Sequence, residues 1–292
     1  MIQLPFRSRI KQLKEAYDRL RKGKENLLQM IDDAEVFESV YNSNAIENST
    51  LTLAETEKIL LEMEVSRDIS LREVFEAKNL ARVMEYIGTK SQVTEVSEDL
   101  ILLLHQMLLG AINDKIAGRF RGPNEYVRVG SFIASAPEHI TRRIDQMLAD
   151  YTSNQETYFA EKIARFHLEF ETIHPFLDGN GRIGRVLINY QLLRLGFPPI
   201  IIRDKEKQTY YKSFTQYRNG QKMTVMETII IRALMESFHK RITYLKTQEI
   251  IPLADYAKKE RLSLTAFLNQ AKRQTIPAFR EKGVWKIGKK EE

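Results

Sequence analysis

Apolar residues recur at Phe159, Ile163, Phe166, Phe170 and Ile173, at spacings of four, three, four and three. This is the stripe of an α-helix that buries one face. Pro175 follows His174, and the residue before a proline avoids the αR region, so the helix is predicted to end at about His174. A second stripe, Val186, Leu187, Tyr190, Leu193 and Leu195, runs to Gly196 ahead of Phe197-Pro-Pro and predicts another buried helix. Helical patterning also covers residues 1–33, a short stretch over 35–50, and residues 54–90, 96–109 and 225–245. The 1–33 segment, rich in Lys, Arg, Glu and Leu, reads as one amphipathic helix with a solvated charged face. The rhythm breaks over 118–140, where Tyr126, Val127, Val129, Phe132 and Ile133 around Gly130 predict short extended segments and a turn. From 251 onward a different unit is expected. A helix begins near Pro252, and Ser263 is the N-cap of another over 264–273. Two strands then alternate around Glu281-Lys282-Gly283.

Composition narrows the classes. A length of 292 residues suggests about two domains, and 43% hydrophobic content is ample for a core. The chain has no cysteine, which excludes a disulfide framework, a thiolate zinc site and a cysteine nucleophile. The first residues lack a signal-peptide apolar core, and the apolar runs at 100–104 and 200–202 are too short to span a bilayer. A soluble, cytoplasmic protein with no membrane partner is expected. The net charge of +6 is unevenly placed: residues 251–292 hold ten Lys/Arg against five Asp/Glu, a net +5, which leaves +1 for the first 250.

The chemistry concentrates between the two buried helices. His174-Pro-Phe-Leu-Asp-Gly-Asn-Gly-Arg-Ile-Gly-Arg185 sets an imidazole, a carboxylate, an amide, two arginines and three glycines within twelve residues. A glycine-rich loop opening a helix offers unpaired N–H groups to an anion, and Gly179 and Gly181 let the backbone approach phosphate oxygens. Arg182 and Arg185, one turn apart, carry planar forks suited to phosphate. Asp178 can hold a Mg²⁺ that bridges phosphates, and His174 is the candidate general base. The set reads as nucleotidyl or phosphoryl transfer. It is not a Walker A loop, because G-x-x-x-x-G-K-(S/T) is absent. Phe176 reads as a core anchor, and His105 and His167, with no second ligand at metal spacing, read as structural.

Residues 174–185 resemble the Fic-family signature H-P-F-x-(D/E)-G-N-G-R-x-x-R and match all nine defined positions. The resemblance implies a mainly α, Fic-fold helical core and transfer of AMP from ATP to a Ser, Thr or Tyr hydroxyl of a target protein. It implies His174 as base, Asp178 as Mg²⁺ ligand, and Gly179, Asn180, Gly181, Arg182 and Arg185 as nucleotide contacts. Ser43-Asn-Ala-Ile-Glu47-Asn48 is similar to the family's inhibitory motif, (S/T)-x-x-x-E-(G/N), with Ser43, Glu47 and Asn48 at its defined positions. That likeness implies a brake in which Glu47 pairs with Arg185 in place of the ATP γ-phosphate. In some members the same glutamate orients a water that removes AMP, so either role is implied. The 118–140 region resembles the family's β-hairpin flap, which holds an extended target segment by strand pairing. Here Pro123-Asn124-Glu125 lengthens its approach. Tyr210-Tyr211 resembles the segment beside the adenine pocket, with Tyr211 facing the base. Relatives that bind ATP reversed and act as kinases carry lysine at the position of Gly181, so glycine favours AMP transfer.

The C-terminal segment resembles a small excisionase-like winged helix-turn-helix. That likeness implies DNA contact through Lys272, Arg273 and Lys282, while a protein-docking role stays open. The expected division is 1–90, a helical region carrying the inhibitory motif at 43–48; 91–247, the Fic core with its flap at about 118–140; and 248–292, the winged unit. A homodimer is expected. The alternative function is a transcriptional regulator that senses nucleotide through a Fic core and binds DNA through the C-terminal unit.

Overall fold

The computed structural model describes residues 4–65, 68–153 and 156–289; the first three residues of the expected 1–33 helix lie outside them. That expectation is corrected. Gly23, at φ +71°, breaks the segment into α1 (Leu4–Leu20) and α2 (Glu25–Ile46), because a left-handed residue cannot continue a helix. The short helix over 35–50 is the last half of α2, which runs unbroken for 22 residues to the inhibitory-type motif. Then follow α3 (Leu53–Glu62), α4 (Leu71–Lys90) and α5 (Glu98–Leu109). Thr52, Ser70 and Ser97 cap them, and Thr52 forms a capping box with Glu55. The region that breaks the helical rhythm contributes a hairpin of two-residue strands, β1 (Arg128–Val129) and β2 (Phe132–Ile133), turning at Gly130.

The remaining helices are α6 (Ile140–Ser153), α7 (Phe159–Ile173), α8 (Asn180–Arg194), α9 (Lys207–Arg218) and α10 (Thr224–Leu245). Two apolar clusters meet on α7 and α8. One joins them to α4 and α5 through residues such as Leu80, Leu104, Phe170 and Leu187. The other joins them to α1 and α10 through Ile10, Ile163, Ile188 and Phe238. Twelve of the fifteen residues of α8 are therefore buried. A helix enclosed on all sides is a rigid platform for the loop at its N-terminus.

The C-terminal segment forms β3 (Ile250–Pro252), α11 (Leu253–Lys259), α12 (Leu264–Arg273), β4 (Ala278–Glu281) and β5 (Val284–Gly288). Its antiparallel sheet has the order β3-β5-β4 and closes over Leu253, Ala271, Ala278 and Ile287. The hairpin docks onto the helical body. Arg280 binds Glu236 at 2.7 Å and Glu206 at 3.1 Å. Gly283 N–H donates to Glu38 of α2 at 3.0 Å, and Lys240 lies between Glu35 of α2 and Glu281 of β4. Buried pairs of this kind select a geometry more than they add stability, since desolvation offsets much of their attraction.

Three buried histidines make folding sensitive to acid. His105, His167 and His239 are each lowered from 6.5 to about 4, first by desolvation. Between those values the unfolded chain binds protons that the fold excludes, so stability is present above pH 6.5 and is lost as pH falls toward 4. Together the three are worth on the order of several kcal/mol. Thermal unfolding followed by circular dichroism is expected to show a falling Tm over that window. A flat Tm between pH 6.5 and 4 would contradict the assignment.

Candidate active site

The helix α7 ends at Ile173, as the pattern predicted, and His174 adopts the left-handed conformation at φ 52° and ψ 61°. That conformation costs a non-glycine residue on the order of 1 kcal/mol and needs support from its surroundings. Its N–H donates to Phe170 O at 2.8 Å, and its carbonyl accepts from Arg121 Nε at 2.9 Å. Arg121 is 3% exposed. It also donates to Glu125 O at 2.7 Å, Ser135 O at 2.8 Å and Ile173 O at 3.4 Å, and its own N–H donates to Pro175 O. One guanidinium thus ties the His174 backbone to the 122–125 turn and to the segment after β2. The sequence reading did not single out Arg121. The only sign was its place beside apolar Ile116, Ala117 and Phe120.

Phe176 is fully buried, with its ring stacked on His105 at 3.6 Å between centroids. His105 is a strut beneath the loop: it accepts Gly118 N–H at Nδ1 and lies 3.0 Å from Asp178 O at Nε2. Asn180 closes the loop from the other side. Its Oδ1 accepts Phe176 N–H at 2.9 Å and its Nδ2 donates to Phe176 O at 2.8 Å. The Asn180 side chain, expected as a nucleotide contact, is buried and holds the loop. Gly179, at φ +83°, opens α8 with no side-chain cap, and a Cβ there would lie 3.0 Å from Leu109. The first N–H groups of α8 thus keep the anion-binding capacity of an uncapped helix start.

Asp178 accepts from Arg182 at 3.1 Å and from Arg72. Burial pushes its pKa up, but Arg182 and Arg72 outweigh that and hold it below the usual carboxylate value. Arg182 is buried and also pairs with Glu76 at 3.1 Å. Among the described residues no group of three or more His, Cys, Asp or Glu side chains is placed to hold a metal.

Arg185 faces α2. Its Nε donates to Ser43 Oγ at 2.9 Å, and its Nη2 donates to Ser43 O and to Glu47 Oε1, both at 2.8 Å. The Glu47 carboxylate lies directly over Gly181, where an added Cβ would come within 2.2 Å of Oε1. Asn48, at φ 69°, ends the motif and accepts from Lys207 Nζ at 2.7 Å. Tyr211, half-exposed, donates to Ile46 O at 2.9 Å, while Tyr210 is buried 2.8 Å from His167 Nε2. Ser43, Glu47, Asn48 and Tyr211 thus join the 174–185 loop in one place. At the far end, Lys272 and Arg273 are exposed on the last turn of α12. Lys282, expected to contact DNA, pairs with Glu57 of α3 at 2.8 Å.

Fold and site define a helical domain built around a glycine-rich anion loop faced by an acidic helix end. Residues 95–192 match the Fic/DOC family model, and the chain carries a domain of that family. It is similar to the protein adenylyltransferase Fic of Nematostella vectensis, 33% identical over 189 residues, 63% of this chain and 44% of the relative. The chain thus spans less than half the length of that curated relative. A Fic domain containing signaling protein from Bacteroides thetaiotaomicron superposes with a TM-score of 0.75 at 26% identity, over 82% of this chain and 97% of that one. A Fic family protein from Desulfovibrio desulfuricans G20, 17% identical, shares the fold over 100% of this chain and 98% of its own, with a TM-score of 0.66.

Replacing Asn180 by Ala leaves Phe176 N–H and C=O buried without partners, at about 1–3 kcal/mol for each unsatisfied group. Urea unfolding of Asn180→Ala is expected to show a loss on the order of 3 kcal/mol. A loss below about 0.5 kcal/mol would remove Asn180 from the loop scaffold.

Proposed function

We propose that this protein is an adenylyltransferase that moves AMP from ATP to a Ser, Thr or Tyr hydroxyl of a target protein and is restrained by Glu47. The observation that carries the reading is the 2.8 Å Glu47–Arg185 contact over Gly181. A carboxylate stands there for an anion, on the arginine and glycine that phosphate oxygens would use. Once Glu47 withdraws, Arg185 takes the γ-phosphate, the 179–182 backbone cradles the inner phosphates, and Arg182 adds charge. His174 removes the proton from the target hydroxyl as its oxygen attacks the α-phosphorus, and pyrophosphate leaves with the bonding electrons. With Glu47 in place ATP lacks that anchor, and its α-phosphate is poorly aligned for in-line attack.

The half-exposed Tyr211 ring flanks the adenine, and the 128–133 hairpin edge pairs with the target segment. Mg²⁺ suits Asp178, an ionised carboxylate, because the ion takes one or two carboxylates alongside phosphate oxygens and water. Arg72, 55% exposed on its side chain, has room to swing off that oxygen. Bound Mg²⁺ supplies charge neutralisation across the phosphates. Removal of AMP through a Glu47-oriented water belongs to the same proposal, as do a cytoplasmic setting and a homodimer. For a winged-helix C-terminal unit, DNA phosphate contact rests on Lys272 and Arg273, because Lys282 is engaged by Glu57. Similarity to adenylyltransferases favours the enzyme over a nucleotide-sensing regulator.

With Mg²⁺ and ATP labelled on the α-phosphate, Glu47→Gly is expected to label protein about 10–100-fold faster than wild type, since a charge-assisted hydrogen bond is worth about 1.5–3 kcal/mol. Equal rates in both would discard the brake. Adding His174→Ala to Glu47→Gly is expected to lower transfer by about 10²–10⁴. Full activity there would end the base assignment.

A further inference from the structure

Glu171 is a buried carboxylate that the mechanism above does not use. It lies on α7 one turn after His167 and three residues before His174, which follows the helix end, and it is 7% exposed. Its Oε2 lies 3.7 Å from His174 Nδ1. Among the described residues its Oε1 has no hydrogen-bond partner, and neither has His174 Nδ1 or His167 Nδ1. On the other side α8 packs its Gly184 against the pair, so closely that an added Cβ would lie 2.8 Å from Glu171 Oε1. A buried carboxylate with an unsatisfied oxygen is costly, and an apolar residue would serve packing better. The groups that act on it are His167 of its own helix, His174 just past that helix's end, Arg185 of α8, and Tyr210, Tyr211 and Arg218 of α9. Burial alone would neutralise it. His174 and Arg185 outweigh burial and hold it below the usual carboxylate value. Arg185 does not bond to it, because its donors go to Ser43, Glu47 and Tyr210. The one partner within reach that changes charge during the proposed reaction is His174.

We propose that Glu171 is a positioning residue for His174, holding a proton on Nδ1 so that Nε2 meets the target hydroxyl. This inference rests on the transfer reading. In the step, the hydroxyl O–H bond breaks and its proton goes to Nε2. The oxygen bonds to the α-phosphorus, and the bond to the bridging oxygen breaks with pyrophosphate taking the electron pair. The ring then carries a positive charge, which Glu171 stabilises through Nδ1–H without taking the proton, as a buried carboxylate does behind a catalytic histidine.

Two readouts on the full chain test the role. In the Glu47→Gly background, Glu171→Gln is expected to lower the rate of α-phosphate label transfer about 10–100-fold. KM for ATP should stay within about twofold, and the acid limb of the pH–rate profile should move down by about one unit. Independently of activity, ¹⁵N NMR of histidine-labelled protein is expected to show His174 as the Nδ1–H tautomer, and a mixture of tautomers in Glu171→Gln. Glu171→Asp, which keeps the charge, is expected to recover part of the rate and the tautomer preference, and it serves as the test should the glutamine variant unfold. If the tautomer and the profile are unchanged in both variants, Glu171 has no such role. If no variant, Glu47→Gly included, transfers label, the transfer reading fails while the tautomer measurement still decides whether Glu171 holds His174.

Discussion

A buried guanidinium must be surrounded by acceptors, and the one at Arg185 governs much of this molecule. It is 6% exposed, and it donates three hydrogen bonds to the C-terminal end of α2, two to Ser43 and one to Glu47 just beyond Ile46. Phosphate oxygens and the Glu47 carboxylate satisfy the same fork, so nucleotide anchoring and restraint compete for one set of donors. That requirement explains why α2 runs unbroken to Ile46 and why it buries polar Ser43. It also explains the bare backbone at Gly181, because any side chain there would collide with the carboxylate.

The loop facing that arginine is held from several directions. Arg121 fixes the backbone around a left-handed His174, His105 and Phe176 stack beneath it, and Asn180 staples Phe176 by both amide ends. The Arg121 and Asn180 contacts satisfy polar groups that would otherwise be buried and unpaired, which is how an unfavourable backbone conformation persists. The enclosed α8 then transmits this rigidity to Arg182 and Arg185, one turn apart on its first turns.

The helix that carries Glu47 is also the one the C-terminal unit grips. Glu35 and Glu38 lie on the stretch of α2 nearer its N-terminus, and they meet Lys240, Arg241, Arg203 and the N–H of Gly283. Arg280, Lys282 and Lys286 are all paired with carboxylates. The basic character of residues 251–292 is therefore partly directed inward, and a charge count over that segment overstates the cationic surface left for a partner.

Much of the architecture could be read without coordinates. The stripes at Phe159–Ile173 and after Gly184 mark two helices buried enough to set the period of the pattern. The loop between them declares its chemistry because glycines, arginines, an imidazole and a carboxylate must be contiguous to cradle an anion. Serine and threonine caps, the hairpin at Gly130 and the strand alternation after 276 were legible for the same local reason. What the tertiary structure alone decided is long-range. Gly23 permits a break, but only packing of α1 against α10 determines that it occurs. Arg121, Arg72 and Glu76 gain their places from chain segments far apart in sequence, and no local spacing announces such a meeting. Lys282 shows the limit most directly: the sequence states what its side chain can bond to, and the fold chooses Glu57, 225 residues away.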